Sequence, residues 1–284
     1  MDFSFRTDLA SESHDLWRQS TGKTSALPGV LARKERRQGL ELDRIEILDS
    51  RGEEALGKPA GRYLTLRLDA LERREEDAFE RSCSVLSELL GEVLALKAGE
   101  SVLVVGLGNE AITPDALGPL AARQTMVTRH LKEQLPEDFA AFRSVSVFCS
   151  GVLGTTGLES STLTGAVSAV SRPDHIIAID ALCAAEADKL CCTVQVSDAG
   201  IVPGSGVGNA RSELSRSSLG VPVAAVGVPT VVDAASFGAG ERGLIVTPRD
   251  IDRQVRDCAR LIGYALNLAL HPGLTIADVD MFLS

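Results

Sequence analysis

The stretch that decides the fold is residues 101–109, SVLVVGLGN, a short apolar run that ends in a glycine-rich loop. Strands buried on both faces of a parallel sheet have such nearly continuous Val/Ile runs. Four later segments share this character: SVSVF (144–148), HIIAI (175–179), TVQVS (193–197) and VPVAAVG (221–227). We expect helices between and after them, at 116–133, 160–170 and 248–270, the last with Thr247 as its N-cap. This alternation predicts an α/β fold, a three-layer sandwich around a mostly parallel sheet.

The amino-terminal third is less regular. Residues 1–60 are polar and highly charged, which predicts an N-terminal arm with loose or peripheral structure. Residues 62–69, RYLTLRLD, alternate apolar and polar side chains and predict an edge strand with one buried face. Residues 71–97 predict a helix with one apolar stripe, whose members recur every three to four positions: Phe79, Cys83, Leu86, Leu90 and Val93.

Composition narrows the class of protein. The chain has 284 residues and a formal net charge of −10, and 4% of its residues are aromatic. Such an acidic chain offers no electrostatic footprint for nucleic acid or an anionic membrane. The first residues lack the apolar core of a signal peptide, and the six cysteines form no CxxC pair and are expected as buried thiols. These features predict a soluble cytoplasmic protein.

Aspartates follow the apolar runs. In an open α/β sheet, ligands collect outside the carboxyl ends of the strands. Four aspartates and Glu159, together with three glycine-rich loops, should therefore meet at one edge; the aspartates are Asp115, Asp180, Asp198 and Asp233. An aspartate at a strand end often only caps the next helix, so each single position also has a structural interpretation.

Other chemistries lack their motifs. The chain has no GxSxG elbow and no HExxH, and Ala111 stands where a dinucleotide fingerprint needs its third glycine. The four histidines are expected away from this edge: His14, His130, His175 and His271. The chemistry that remains is hydrolysis by two carboxyls that share a proton. One carboxyl can activate a water while the other protonates the leaving amine. The residues alone leave open which two of the four aspartates form the pair.

Several blocks carry a family resemblance, and they occur in order over most of the chain: RTDLASE (6–12), GRYLTL (61–66), GLGNEAITPDALGP (106–119), GVLGTTGLESS (151–161), IIAIDAL (176–182), GIVPGSGVGN (200–209), LGVPVAAVGVPTVVDA (219–234), LIVTPRDID (244–252) and LNLALHP (266–272). They resemble the motifs of the germination protease family of spore-forming bacteria. The resemblance implies an atypical aspartic endopeptidase without a cofactor, with a fold similar to that of the hydrogenase-maturation endopeptidases. It also implies a spore-core enzyme that cleaves small acid-soluble spore proteins, is made as a self-processing zymogen and assembles as a homotetramer.

The resemblance also selects site residues. The family's two essential aspartates match Asp115 and Asp180, so that Asp198 and Asp233 take structural or substrate-orienting roles. We expect the pair to share a proton and a water beside the scissile carbonyl. Glycine-rich backbone in 106–109, 151–157 or 204–208 would donate to the oxyanion. The candidates for these oxyanion or substrate loops are Gly106, Gly108, Asn109, Gly154 and Gly206.

The resemblance gives the amino terminus a role as well. It places the zymogen cleavage at Asp8–Leu9, so that residues 1–8 are a propeptide and residues 9–284 a single peptidase domain. The segment is polar and terminal and is expected to be accessible and easily ordered into a cleft. The chain departs from the family in one place: only AASFGAGERGLI (234–245) stands where the family has a long segment. That departure puts the oligomeric state and activation in question and leaves the core motifs untouched.

Three other functions remain open at this point. A metal-dependent maturation endopeptidase of similar fold would need a histidine beside the aspartates, for which His130 is the candidate. A dinucleotide- or small-ligand-binding module could use the GLGN loop. A catalytically silent family member could serve as a spore scaffold. The preferred prediction involves no metal.

Overall fold

The computed structural model describes residues 7–21, 27–237 and 244–283. Within these ranges nine strands form one sheet: β1 (Val30–Arg37), β2 (Leu40–Ile47), β3 (Gly61–Arg67), β4 (Val102–Leu107), β5 (Val145–Gly151), β6 (His175–Ala184), β7 (Thr193–Ser197), β8 (Val223–Asp233) and β9 (Ile245–Val246). The strand order is β1-β2-β3-β7-β8-β6-β4-β5, and β9 pairs with β8. The strands β8, β6, β4 and β5 are parallel. The strands β1, β2, β3 and β7 extend the sheet in antiparallel fashion.

Helices cover both faces of this sheet. They are α1 (Ala10–Thr21), α2 (Ser50–Leu56), α3 (Asp69–Glu72), α4 (Ala78–Leu94), α5 (Leu117–Arg123), α6 (Arg129–Gln134), α7 (Leu153–Thr156), α8 (Ser160–Ser171), α9 (Arg216–Leu219), α10 (Ile251–Leu270) and α11 (Ile276–Leu283).

Strand β4 shows why its sequence is a continuous apolar run. Val102 and Val104 pack on one face of the sheet in the same core as α4, α5 and α10. Leu103 and Val105 pack on the opposite face with Val167 of α8. Every residue of β4 is therefore buried, as expected of a strand between two helical layers. The predicted three-layer α/β sandwich is confirmed, with the parallel strands at its centre.

The amino-terminal prediction is wrong in two respects. Residues 10–21 and 27–56 are peripheral but not loose, because they contain α1, α2 and the β1–β2 hairpin, which turns at Gln38 (φ 49°) and Gly39 (φ 80°). Strand β3 is not an edge, since it pairs with both β2 and β7. The edge is β1, whose sequence VLARKERR is charged because an edge strand faces solvent and must resist further pairing. The charged side chains of β1 therefore explain why the sequence of residues 1–60 predicted loose or peripheral structure.

Two predicted helices are each divided. The segment 71–97 becomes α3 and α4, with Arg74 and Asp77 in the left-handed region between them (φ 54° for each). The segment 116–133 becomes α5 and α6. The predictions for α8 and α10 are confirmed, but Thr247 is not the N-cap of α10. Asp250 holds that position, and the Thr247 hydroxyl donates instead to the carbonyl of Thr230 (3.0 Å).

The cysteines are all free thiols. Five are buried as predicted. The sixth, Cys149, is exposed because it lies on β5, the outermost of the parallel strands. Among the described residues no helix combines the length and the apolar character that crossing a membrane requires.

Candidate active site

The loop after β4 holds Asp115 near the carboxyl end of that strand. Asp115 ends a 3₁₀ turn, Thr113–Asp115, and its Oδ2 accepts a hydrogen bond from the backbone N–H of Asn109 (2.7 Å). Gly108 makes this fold-back possible. Its φ is +113°, and a Cβ there would lie 2.0 Å from the carbonyl oxygen of Asp115. The glycine in GLGN therefore serves the close approach of backbone to backbone.

Gly118 seats the helix that follows Asp115. A Cβ at Gly118 would lie 2.1 Å from the carbonyl oxygen of Leu107 and 2.5 Å from that of Ile179. The start of α5 therefore touches the end of β4 and the middle of β6, at the residue before Asp180. Gly106 completes the contact from the strand side, because its own Cβ would lie 2.6 Å from the Gly118 carbonyl oxygen. This packing places the loop of Asp115 beside the part of β6 that carries Asp180.

Strand β6 supplies Asp180. Its side chain is only 5% exposed, and its Oδ1 accepts from the backbone N–H of Ala181 (2.9 Å). Burial raises the pKa of Asp180 well above its usual value, and the negative charges of Asp115 and Asp8 raise it further. Burial also raises the pKa of Asp115, while the hydrogen bond from Asn109 lowers it. The two carboxyls therefore differ in environment, as an acid–base pair requires.

Both aspartates line one cavity of about 520 Å³. Backbone from three glycine-rich segments lines it with them, at Gly108, Gly154 and Gly204. Apolar side chains form much of the remaining wall: Ile112, Val152, Leu153, Val207, Val231 and Ile245. Carboxyls beside a largely apolar cavity and free backbone give a site that could bind an extended peptide and hydrolyse it.

The predicted oxyanion donors divide into two groups. Gly108 and Gly154 line the cavity as expected. Gly106 lies inside β4 and packs on Gly118, the N–H of Asn109 is taken by Asp115, and Gly206 packs against Asp8. The oxyanion role is therefore wrong for Gly106 and Asn109, because sequence alone does not distinguish a glycine that frees an N–H from one that allows close packing. For Gly206, a place in a substrate-binding loop stays a prediction.

The four aspartates were predicted to lie together at the carboxyl ends of the strands. For Asp198 this prediction is wrong. Strand β7 runs antiparallel to β8, so the carboxyl end of β7 lies beside the amino ends of the parallel strands. Asp198 accepts there from the backbone N–H and the Nε of Arg62 (2.7 Å each). Asp233 accepts from the N–H of Ala235 (2.9 Å), a capping role. Both contacts fit the structural alternative, whereas Glu159 does line the cavity.

His130 lies on α6 and is not part of the cavity wall. Among the described residues, no three His, Cys, Asp or Glu side chains are grouped so that they could hold a metal ion.

The amino-terminal segment lies against the site. Residues 1–6 of the predicted propeptide lie outside the described residues, but Thr7 and Asp8 are described, and Asp8 lines the cavity with Asp115 and Asp180. Leu9 and Ala10 are fully buried, so the expectation of an accessible segment is wrong from Leu9 onward. Leu9 packs with Leu182, Ala184 and Ile201.

Glu12 fixes this segment to the two residues that follow β6. Its carboxylate accepts from the N–H groups of Ala185 (2.8 Å) and Glu186 (3.0 Å) and from the Thr7 hydroxyl. Burial raises the pKa of Glu12, and these hydrogen bonds oppose the rise. The segment TDLASE is therefore held at its Glu as well as at its Leu.

Gln195 contacts the backbone on both sides of the Asp8–Leu9 peptide bond, and the sequence analysis did not single it out. Its Nε2 donates to the carbonyl oxygen of Asp8 (3.1 Å), and its Oε1 accepts from the N–H of Ala10 (2.8 Å). The available signal was a buried amide within the apolar strand TVQVS.

A buried carboxyl within β6 and a half-buried one in the loop after β4 line the same cavity, an arrangement suited to acid–base hydrolysis. Comparison with known proteins then gives the family. The germination protease family model matches residues 8–241. The chain belongs to the germination protease family and is a peptidase.

Several relatives carry that name. The chain is 40% identical to the germination protease of Caldanaerobacter subterraneus subsp. tengcongensis, covering 98% of each chain, and 34% identical to that of Clostridium tetani, covering 99% of this chain and 100% of the relative. It is 43% identical to that of Priestia megaterium over 83% of this chain, which spans 65% of that relative. The alignment with the C. tetani protein has 326 positions, so that relative holds residues that this chain lacks.

Among solved structures, a [NiFe] hydrogenase maturation protease, HycI from Thermococcus kodakarensis, matches with a TM-score of 0.37 and 19% identity, covering 63% of this chain and 98% of the neighbour.

Proposed function

We propose that the chain is an endopeptidase that hydrolyses peptide bonds with the pair Asp115 and Asp180 and a water molecule. The observation that carries the proposal is the placement of both carboxyls on one cavity, with Asp180 buried beside the charge of Asp115. Two carboxyls in that relation hold one proton between them.

The different environments of the two carboxyls support different roles for them. Asp180, whose pKa is raised most by burial and by neighbouring charge, keeps the proton and acts as general acid toward the carbonyl oxygen or the leaving amine. Asp115, whose carboxylate accepts from the Asn109 N–H, is the charged partner and general base that activates the water. Backbone at Gly108, Gly154 and Gly204 faces the same cavity and supplies donors for the oxyanion. Such a pair works best at mildly acidic pH, where one proton is shared.

The proposed substrates are small acid-soluble spore proteins cleaved at germination, and the proposed precursor releases its own residues 1–8. Membership in the germination protease family supports the first part. The second is supported by the placement of the bond: Asp8 lines the cavity of the aspartates, and Gln195 holds the Asp8 carbonyl.

The test is hydrolysis of a synthetic peptide with the sequence of residues 3–14, FSFRTDLASESH, with the products identified by mass spectrometry. The chain should yield fragments that end at Asp8 and begin at Leu9. Asp115→Asn and Asp180→Asn should each lower the rate at least about a hundredfold, the scale of a lost acid or base. Rates within a few-fold of wild type in either variant would refute the pair.

A further inference from the structure

Two of the five buried cysteines are in contact with each other. Cys191 lies two residues before β7 and Cys258 lies on α10, and both belong to the same apolar core. The thiol of Cys258 donates to the carbonyl oxygen of Cys191 (3.4 Å) and also forms a hydrogen bond with the Cys191 thiol. Their spacing in the sequence does not reveal this pair, because tertiary packing of α10 on the sheet brings the two residues together.

The second thiol distinguishes this contact from that of an ordinary buried cysteine. Cys83 and Cys183 also donate to backbone carbonyl groups, those of Leu261 (4.0 Å) and Ala184 (3.5 Å), and each of these bonds involves a single cysteine. A buried thiol with only a carbonyl partner behaves as a small apolar side chain with a weak donor. A thiol beside a second thiol can in addition form a disulfide.

The sheet holds the main chain around Cys191 in place. The N–H of Cys191 donates to the carbonyl oxygen of Pro229 in β8 (2.8 Å), and the carbonyl of Cys192 accepts from the N–H of Leu68 (2.7 Å). These bonds fix the direction in which the Cys191 side chain leaves the backbone, toward Cys258 on α10. Because the two thiols already lie in hydrogen-bond contact, a bridge between them requires only an adjustment of the side chains.

The neighbouring Cys192 is engaged elsewhere. Burial raises the pKa of the Cys192 thiol to about 12, and its hydrogen bond with the carboxylate of Glu72, at the end of α3, raises that pKa further. Cys192 lies outside the apolar core that holds the other two residues. Cys191 is therefore the partner that the fold presents to Cys258.

We propose that Cys191 and Cys258 form a site of oxidative modification, at which hydrogen peroxide converts the two thiols into a disulfide. The Cys191 thiol is the more exposed of the two, 7% against 2%. Its sulfur loses a proton and attacks the peroxide, the O–O bond breaks, and a sulfenic acid and one water form. The Cys258 sulfur then attacks the Cys191 sulfur, the S–O bond breaks, and a second water leaves with the Cys258 proton. The two thiols have lost two electrons and two protons, and one peroxide has become two waters.

The bridge would fasten α10 to the segment that leads into β7. It would close a loop of about 70 residues, which restricts the unfolded chain and so stabilises the folded one. Helix α10 also supports the 3₁₀ turn of Asp115, since Asp252 accepts from the Thr113 hydroxyl (3.0 Å). The bridge would therefore protect that turn against thermal unfolding. This inference does not depend on the proposed peptidase activity.

The reaction is expected to be slow in the folded chain. The hydrogen bond with Cys191, together with burial, raises the pKa of the Cys258 thiol well above its usual value. Because the thiolate is the nucleophile, a raised pKa leaves little of the reactive form at neutral pH. The reduced pair therefore persists until an oxidant is supplied.

The test uses the full chain with Cys149→Ser, which removes the exposed thiol and with it bridges between molecules. The chain is treated with hydrogen peroxide, its remaining thiols are alkylated, and it is digested with trypsin without reductant. Mass spectrometry should show peptide 257–260, DCAR, joined to peptide 190–211, which contains Cys191 and Cys192. The melting temperature should rise by at least about 5 °C and return to its starting value after reduction with dithiothreitol.

Cys192→Ser is the matched control and should keep both the joined peptides and the rise in melting temperature. Cys191→Ser should lose both. Joined peptides that persist in Cys191→Ser would overturn the proposal. So would a digest of the oxidised chain, with both cysteines present, in which DCAR carries only an alkylated or a sulfonic Cys258. That second result decides the question even if Cys191→Ser fails to fold.

Discussion

Gly118 offers the sharpest test of how the fold aligns the two aspartates. In Gly118→Ala the new Cβ would start 2.1 Å from the Leu107 carbonyl oxygen and 2.5 Å from that of Ile179. Both obstacles are backbone, so α5 must retreat by about 1 Å to restore ordinary contacts. We expect a loss of about 1–3 kcal/mol in unfolding free energy, the cost of overpacking. Because Asp115 lies three residues before Gly118, a shift of that size should also lower hydrolysis about a hundredfold.

The assays are urea denaturation and cleavage of the FSFRTDLASESH peptide. Gly91→Ala is the matched control: Gly91 lies within α4, and an added Cβ there meets nothing within 4 Å. That variant should keep its activity and gain up to about 1 kcal/mol, since alanine is the better helix former. Wild-type stability and rate in Gly118→Ala would refute the argument that this glycine sets the spacing of Asp115 and Asp180.

Four further outcomes are expected. The folded chain raises the pKa of Asp180, so ionising this carboxyl costs stability as pH rises above the unfolded value of about 3.9; Asp180→Asn should therefore exceed wild type in unfolding free energy by more at pH 7 than at pH 4.5, and the reverse trend in urea melts would contradict this. Asp198→Asn should keep peptide hydrolysis within a few-fold of wild type, because Asp198 lies beside the amino ends of the parallel strands and binds Arg62; a hundredfold loss would return it to the site. Leu9→Ala should cost about 2–5 kcal/mol in denaturant unfolding, as for other fully buried leucines; a cost below about 1 kcal/mol would mean that Leu9 is not packed. Gln195→Ala should slow the release of residues 1–8, since the amide no longer holds the Asp8 carbonyl; intact mass against time measures this, and an unchanged rate would exclude a positioning role.

The parallel half of the fold could be predicted because its strands are buried on both faces. Strands β4 and β6 appear in the sequence as continuous apolar runs, and the helices between such runs predicted that the sheet is mostly parallel. The hairpin of β1 and β2 could not be predicted in the same way, because edge strands carry charges that imitate an unstructured arm. The apolar stripe that predicted a helix over 71–97 lies entirely in α4, and the charged run 72–77 coincides with the break before that helix.

The position of each candidate aspartate could be predicted only where the direction of the preceding strand could be predicted. Asp115 and Asp180 follow parallel strands and were expected at one edge, which the structure shows. Asp198 follows an antiparallel strand, and the apolar run that precedes it gives no sign of direction. Choosing two aspartates out of four needed the family resemblance, since a capping carboxylate and a catalytic one look the same in sequence.

The seat of the amino terminus could not be predicted from sequence. Gln195, Ser205 and the N–H of Cys183 are brought to Asp8 by tertiary contacts between residues more than 170 positions apart. Only the buried amide of Gln195 in an apolar strand hinted at a partner.

The measurement that tests the central claim most directly is the intact mass of the full chain, followed after a shift to mildly acidic pH. Wild type and Asp198→Asn should lose residues 1–8 and begin at Leu9, while Asp115→Asn and Asp180→Asn should keep their full mass. The same loss in either of those two variants, at a rate near that of wild type, would contradict the account of a catalytic aspartate pair.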